Sequence, residues 1–312
     1  MADFLDAAVD ILTSESTYVI GALFAGLLLF AASGEWVAEK AGTINISVEA
    51  MLLSGAFSSA LGFHLTDSVI VALVAGCVGG MLIAAIQAEM SHRLAADQFV
   101  VGLTLNILVF GLAGFLDREV PTNTAKAAVG EVPGLSGIPL IGNALFAQPW
   151  PFYLLYGVVP VSWWIVFRTR WGLEVRSSGE DPQSADVSGI DVNKRRRQTI
   201  YYAGLTSGLG GAFLVFVQIG DFNEGIVSGR GFIAIAAVIF GGWTLKGTVA
   251  GCLVFAGALS FRLSLQAQGY DQINSELLQA LPFLVTLSGV ALFAKRVEPP
   301  AALARPFIRG LK

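Results

Sequence analysis

Histidine and cysteine are scarce in this chain, which holds two of each among its 312 residues. Cys77 and Cys252 both lie inside apolar runs, without a neighbour at metal-ligand spacing. Two histidines give no convincing basis for a histidine metal cluster or for a catalytic triad. We therefore expect no metal site and no catalytic residue, and we interpret both cysteines as packing residues.

A phosphate-binding loop of the Gly-x-x-x-x-Gly-Lys-Ser/Thr type is also missing, because Lys246-Gly247-Thr248 has the lysine and the glycine in reverse order. Charge is sparse, at 13% of the residues, with a formal net charge of −4. The N-terminus is acidic, with Asp3, Asp6, Asp10 and Glu15, and the central loop and the C-terminal tail are basic. We expect no cofactor, no ATP hydrolysis by the chain itself and no nucleic-acid partner.

Hydrophobic residues, in contrast, make up 54% of the chain and form long uncharged runs. A helix needs about 20 residues to cross roughly 30 Å of hydrocarbon. The runs predict an all-α, polytopic helix bundle of about nine spans in one transmembrane domain, residues 1–312. The run at 232–243 is short enough to be a full span or a re-entrant helix. The nine runs are 16–34, 41–66, 68–88, 98–116, 151–167, 198–220, 232–243, 247–266 and 277–294.

The distribution of lysine and arginine predicts the orientation of these spans. Seven such residues lie in the polar segment 168–197, and cytoplasmic loops carry the excess of positive charge. Placing this segment inside puts the C-terminal tail inside as well. The N-terminus, the Pro/Gly-rich loop 117–150 and the turn with Asp271 and Glu276 then lie outside. The sequence therefore predicts an N-outside, C-inside topology.

Pairs of glycines four residues apart recur in the apolar runs. Such pairs let helix backbones approach closely, so we interpret them as packing contacts within the bundle. The pairs are Gly76/Gly80, Gly204/Gly208 and Gly247/Gly251.

Two polar residues, Asn45 and Glu49, interrupt the second run four residues apart, a spacing that would place them on one helical face. A carboxylate inside hydrocarbon is costly unless it faces a cavity or a partner. Glu49 therefore either lines a translocation path together with Asn45 or hydrogen-bonds a neighbouring helix.

A second polar cluster opens the fourth run. Asp97 is best explained as a helix N-cap, whereas Gln98 and the deeper Asn106 are candidates for the lining of the path.

The segment at 171–197, WGLEVRSSGEDPQSADVSGIDVNKRRR, is polar and basic between apolar neighbours. Asp181-Pro182 and Ser184 predict the start of a short amphipathic helix, whose apolar side would be Ala185, Val187 and Ile190. Such a helix suits docking to a soluble partner. The alternatives are a solvated surface loop and, for residues 194–197, a phospholipid anchor.

Three blocks of sequence resemble ABC importer permeases of the simple-sugar and nucleoside type. GTINISVEAMLLSGA at 42–56 resembles a signature of these permeases, although Ser47 and Ala50 replace glycines common there. The segment 171–191 is similar to their cytoplasmic coupling segment. The third block, 229–241, is similar to the nucleoside branch. The three blocks occur in the order that the family has.

The resemblance implies a permease subunit that forms the path for nucleosides or simple sugars in the bacterial cytoplasmic (inner) membrane. It implies four kinds of partner: a second, homologous permease subunit, a cytoplasmic ATPase that uses ATP, an extracytoplasmic substrate-binding lipoprotein and membrane lipid. The residues matched to ATPase coupling are Arg176, Gly179, Glu180, Asp181, Pro182, Ala185, Gly189 and Ile190.

Other classes stay open at this point. A branched-chain amino-acid permease of the ABC type is the nearest alternative. A secondary transporter would need intramembrane coupling carboxylates in two corresponding halves. A channel would need no ATPase.

Overall fold

The computed structural model describes residues 10–120, 122, 124–132, 134–267 and 298–309. Its helices are α1 (Glu15–Lys40), α2 (Val48–Thr66), α3 (Val69–His92), α4 (Gln98–Glu119), α5 (Gly142–Phe146), α6 (Leu155–Arg168), α7 (Arg170–Glu180), α8 (Pro182–Val187), α9 (Val192–Phe213), α10 (Arg230–Phe240) and α11 (Leu245–Ala267). A 3₁₀ turn, Trp150–Leu154, leads into α6, and α9 continues as a π-helix, Leu214–Ile219.

Seven helical segments of the described chain are long and apolar enough to cross a membrane. They are α1, α2, α3, α4, Trp150–Arg168, Val192–Ile219 and α11. The prediction of a mainly helical, multi-pass membrane protein is therefore confirmed in its coarse form. The predicted span at 277–294 lies outside the described residues.

The run at 232–243 forms only the 11-residue α10. At 1.5 Å per residue this helix is roughly 16 Å long, about half of the hydrocarbon thickness. Residues 220–229 before it are irregular, yet Phe222, Ile226 and Val227 among them are buried. Irregular backbone at membrane depth is tolerated where protein surrounds it. This part of the chain is therefore a broken helix, and of the two possibilities that the sequence left open for the run at 232–243, the full span does not hold.

Helix α9 lies at the centre of the bundle, in contact with α1, α2 and α3. Its glycines let it approach α3 closely: a Cβ on Gly208 would overlap the carbonyl oxygen of Gly76, and one on Gly80 would overlap that of Gly204. A Cβ on Gly247 would likewise overlap the carbonyl oxygen of Gly241. The prediction that these glycines serve packing is confirmed.

The outer face of α3 carries an exposed apolar side chain at every fourth position. Spacing of four keeps these residues on one side of the helix. A contiguous apolar stripe of this kind suits contact with lipid. Its members are Ile70, Val74, Val78, Leu82 and Ile86.

The loop after α4 closes over one end of α9. The Ala127 amide donates to the Phe216 carbonyl at 2.8 Å, and the Thr124 hydroxyl donates to the Gly220 carbonyl at 2.7 Å. The same loop contains a small antiparallel sheet that pairs β1 (Val129–Glu131) with β2 (Ala147–Pro149). The all-α prediction did not include this sheet.

Candidate functional site

A cavity of about 540 Å³ lies between α2, α4 and the start of α10. Its size is within the range of about 300–1,000 Å³ usual for small-molecule pockets. Polar groups come from four side chains, and the remaining walls are largely apolar. The polar side chains are Glu49, Asn106, Glu224 and Ser228, and the apolar ones include Leu53, Leu103, Ile107, Phe110, Val227 and Phe232.

Glu49 stands in the first turn of α2 and reaches the beginning of α10. One carboxylate oxygen accepts from the Gly229 amide at 2.6 Å, and the other accepts from the Gly231 amide at 2.7 Å. Gly229 has a φ of 80°, which glycine adopts without strain. The carboxylate thus satisfies free N–H groups at a helix N-terminus, where negative charge is favoured. Glu49 thus bonds the start of α10, as one of the two alternatives predicted, and it also lines the cavity.

Asn106 binds the start of α2, the helix that carries Glu49. Its side-chain oxygen accepts from the Ala50 amide at 2.9 Å, and its amide nitrogen donates to the Ile46 carbonyl at 2.9 Å. Since Asn106 is eight residues past Gln98, where α4 begins, it lies about 12 Å from that end of the helix. The cavity is therefore well away from this end of α4.

Asn45 lies elsewhere. Gly42, with a φ of 83°, follows the end of α1, and residues 41–47 are not helical, so the predicted helical face shared by Asn45 and Glu49 is wrong. The Asn45 side chain is fully buried and accepts from the Ser47 hydroxyl at 2.7 Å. Its backbone amide donates to a Glu35 carboxylate oxygen at 3.0 Å.

Gln98 also braces residues 41–47 and is absent from the cavity lining. Its side-chain oxygen accepts from the Ile44 amide at 2.9 Å. Asp97 caps α4 as predicted, accepting from the Phe99 and Val100 amides. Of the four residues predicted for the path, Glu49 and Asn106 share the cavity, whereas Asn45 and Gln98 lie behind it.

Two buried carboxylates of α1 were missed from the sequence. Glu35 and Glu39 are 0% and 1% exposed. The Trp243 indole N–H donates to Glu39, and the Trp36 indole N–H donates to the Trp243 carbonyl at 2.8 Å. The predicted first span stopped at residue 34, just before them. Their spacing of four residues beside an apolar run was the available signal.

The predicted coupling segment forms two helices, α7 and α8, each with a local cap. Thr169 accepts from the Gly172 amide, and Asp181 accepts from the Gln183 and Ser184 amides. Pro182 occupies the first position of α8, which suits proline. The Ser184 hydroxyl and these amides hold the pKa of Asp181 below its usual value.

Helix α8 ends in a glycine cap. Gly189 has a φ of 86°, its amide donates to the Asp186 carbonyl, and the Ile190 amide donates to the Ala185 carbonyl. This pattern is a Schellman motif. Ala185 is buried, whereas Val187 is 89% exposed, so the predicted apolar ridge of Ala185, Val187 and Ile190 is not a single outward face.

The end of α7 packs against the end of α1. A Cβ on Gly179 would overlap the carbonyl oxygen of Lys40. Arg176 lies over the ring of Phe167 at 5.0 Å, and Glu180 accepts from the Ala301 amide at 3.5 Å. The predicted coupling segment is thus in contact with the bundle and with the C-terminal tail.

Three of the four cations at 194–197 bind protein groups. Arg195 pairs with Glu174 at 2.5 Å, and Arg197 pairs with Glu89 at 2.7 Å. Arg196 is completely buried and donates to backbone carbonyls. The alternative of a phospholipid anchor does not account for these three side chains.

A larger cavity of about 660 Å³ lies between α1, α5, α6 and α11. Its lining is almost wholly apolar, and its hydroxyls are already engaged. The Thr17 and Ser264 hydroxyls lie 3.0 Å apart, and the Ser260 hydroxyl donates to the Thr17 carbonyl. This cavity offers few groups for a polar solute, and the cavity at Glu49 is the better candidate site.

Comparison with known proteins places this architecture among transport proteins. The family model described as "Branched-chain amino acid transport system / permease component" matches residues 17–287. The chain is 32% identical to the guanosine ABC transporter permease protein NupQ of Bacillus subtilis, over 92% of this chain and 95% of that protein. It is also 32% identical to the nucleoside ABC transporter permease protein NupC of Lactococcus lactis, over 91% and 93%.

Sugar permeases are similar to the chain at lower identity. The ribose import permease protein RbsC of Escherichia coli is 27% identical over 70% of this chain and 67% of that protein. The resemblance seen in the three sequence blocks is confirmed by these matches. The chain therefore belongs to the branched-chain amino acid transport system / permease component family and is a permease component of an ABC importer, not an enzyme.

Proposed function

We propose that this chain forms half of the path by which nucleosides enter a bacterial cell across the cytoplasmic membrane. The observation that supports this most is the cavity at Glu49, which combines a few polar groups with apolar and aromatic walls. A nucleoside matches this lining, because its ribose hydroxyls can hydrogen-bond to Asn106 and Glu224. Its flat base can pack against Phe110 and Phe232. Weak hydrogen bonds in small number allow passage without trapping.

The cavity is open on one side of the chain. Ile107 is 75% exposed, Phe110 53% and Phe232 43%, although all three line it. Apolar groups at such a site need a cover. In our proposal a second, homologous permease subunit packs on α4 and α10 and covers these apolar groups. The two chains then enclose one path.

The proposed orientation is N-outside and C-inside. Val192–Ile219 is 28 residues long, roughly 42 Å, and separates two groups of contacts. The loop at 124–127 meets one end of it, and the ends of α1 and α7 with the C-terminal tail meet the other. The first group was predicted outside and the second inside from the lysines and arginines.

The proposed orientation determines the side of the membrane on which each partner binds. A cytoplasmic ATPase docks on α7 and α8, with Val187 as an exposed apolar contact. An extracytoplasmic binding lipoprotein delivers the substrate near loop 117–150, and lipid covers the outer stripe of α3. The chain carries no cofactor in this proposal, since the ATPase binds the ATP.

Uptake into vesicles tests the proposal. The chain, its second permease subunit, the ATPase and the binding protein are reconstituted, and ATP-driven uptake of labelled guanosine, ribose and leucine is compared. We expect guanosine uptake that unlabelled nucleosides block and that ribose and leucine do not. Ribose uptake alone would make this a sugar permease, and leucine uptake alone would make it an amino-acid permease.

A further inference from the structure

Arg196 is a buried cation at a meeting point of four segments. It is 0% exposed, and its guanidinium lies within hydrogen-bond distance of backbone carbonyl oxygens from the other three segments. Nε donates to Ala41 at 3.0 Å and Nη1 to Arg305 at 2.7 Å, while Nη2 lies 3.4 Å from the Ser178 carbonyl oxygen and 3.5 Å from that of Ala302. One side chain of α9 thus touches the end of α1, the end of α7 and the C-terminal tail.

The tail completes this junction with backbone hydrogen bonds. The Ala302 amide donates to the Gly179 carbonyl at 2.9 Å, and the Ala304 amide donates to the Gly42 carbonyl at 3.1 Å. Gly179 ends the coupling helix α7, and Gly42 begins the segment that leads to α2. The tail therefore lies between the two and binds both.

Residues 41–46 continue from the junction to the cavity, and each has a bond to another segment. Arg196 binds Ala41, and the Thr43 hydroxyl lies 3.1 Å from His92 Nε2. Gln98 binds the Ile44 amide. A Glu35 carboxylate oxygen accepts from the Asn45 amide, and the Asn106 side-chain amide donates to the Ile46 carbonyl. A segment bonded at successive residues moves as a unit, and three residues further along it is Glu49.

We propose that Arg196 and tail residues 301–305 form a joint that passes movement of the docking helices α7 and α8 to residues 41–47, and through them to the cavity at Glu49. Arginine suits this position because its fixed fork of donors binds several carbonyls at once. Arg196 acts here as a positioning residue, since it touches neither substrate nor ATP. This proposal rests on the coupling role of α7 and α8 given above.

The joint is tested in the reconstituted vesicles by measuring guanosine uptake and ATP hydrolysis together. For Arg196→Met we expect ATP hydrolysis close to that of the wild type and uptake per ATP lowered about tenfold. Arg196→Lys should recover part of the loss, because an ammonium group binds fewer carbonyls at once. A chain ended after residue 299 should show the same uncoupling without any change inside the membrane.

Two control variants separate the joint from general damage. Arg197→Met makes the same change one residue later, at a partly exposed pair with Glu89 of α3, which is not a docking helix. Arg309→Ala removes the exposed pair with Asp186 and leaves the backbone bonds of the tail. Both should keep the wild-type ratio of uptake to ATP hydrolysis.

Each outcome decides the proposal. Wild-type coupling in Arg196→Met and in the shortened chain would overturn it. Loss of assembly in both, measured by co-purification of the subunits, would make the junction purely structural and would also overturn it. If only Arg196→Met fails to assemble, the shortened chain decides. If the wild type itself takes up no substrate, the proposed function fails, and the joint fails with it.

Discussion

Helix α8 and the joint beside it lie in the same region of the molecule, but different kinds of contact hold them in place. Residues within the segment itself fix α8: Asp181 caps its start, and Gly189 closes its end. The joint binds residues that are far apart in sequence, since Arg196 is 155 positions from Ala41 and 109 from Arg305. Local caps can be weakened one at a time, whereas a change in the joint disturbs several segments together. Substitutions in the joint should therefore have the larger effect on transport.

Two of the three glycines in the predicted coupling segment, Gly179 and Gly189, give the largest expected contrast. A side chain on Gly179 would overlap the Lys40 carbonyl and push α7 away from Gly42. Overpacking of this kind costs about 1–3 kcal/mol. The Cβ of alanine alone makes this overlap, so we expect Gly179→Ala to abolish coupled uptake in the vesicle assay while the chain still inserts into the membrane.

Gly189→Ala is the matched control. No atom lies within 4 Å of a Cβ there, so only the positive φ opposes the change, at about 1–2 kcal/mol. Uptake should fall much less than in Gly179→Ala. Equal losses of uptake in the two variants would contradict the expectation that the joint matters more for transport than the cap of α8.

Glu49 makes a long-range contact of the same kind within the membrane-spanning part of the chain. In Glu49→Gln one of the two acceptors of the Gly229 and Gly231 amides becomes a donor, and a hydrogen bond to a charged group is worth about 1.5–3 kcal/mol. We expect a lower thermal unfolding temperature and a strong loss of uptake, while co-purification with the other subunits persists. Uptake at the wild-type level in this variant would remove Glu49 from the path.

Glu224 lines the same cavity but caps no helix in the bonds described here. Glu224→Gln keeps a side-chain acceptor and loses only the charge, so uptake should fall by the difference between a charged and a neutral hydrogen bond, about 1–1.5 kcal/mol or roughly five- to tenfold, with thermal stability unchanged. Glu119→Gln, at the exposed end of α4, is its control. A large fall in stability in Glu224→Gln would show a structural role instead.

The smallest effect concerns the cap of α8. Because the folded pKa of Asp181 is lowered, its stabilising contribution is present above the usual pKa of about 3.9 and is lost only as the pH falls through the lower folded value. Amide exchange at 183–188 should therefore be insensitive to this group between pH 5 and 8. Asp181→Ala should speed that exchange, and Asp181→Asn, an equally good cap, should not. Equal exchange in the two variants would show that the cap does not hold α8.

The contrast between local caps and long-range contacts also explains which features could be predicted from the sequence. The caps at Asp97, Asp181 and Gly189 are recognisable because a cap depends on a few neighbouring residues. Membrane helices were predictable from the length of apolar runs, and the glycine pairs from their spacing. The resemblance in three blocks was enough to indicate the family.

Features that depend on contacts between residues far apart in the sequence could not be predicted from it. Nothing near Arg196 in the sequence shows that it is buried against the tail, so it was grouped with its exposed neighbour Lys194. Asn45 was placed on a helix because the break at Gly42 requires a positive φ that many glycines do not have. Glu49 was recognised as costly in hydrocarbon, but its compensation by α10 comes from 180 residues away.

Photolabelling of the assembled importer with an azido-nucleoside tests the central claim most directly. The account predicts adducts on the cavity walls, in residues 49–53, 103–110 and 224–232, which excess unlabelled guanosine suppresses. Glu49→Gln should reduce this labelling, and Glu119→Gln should not. Adducts confined to the apolar cavity between α1 and α11, or labelling that guanosine does not suppress, would contradict it.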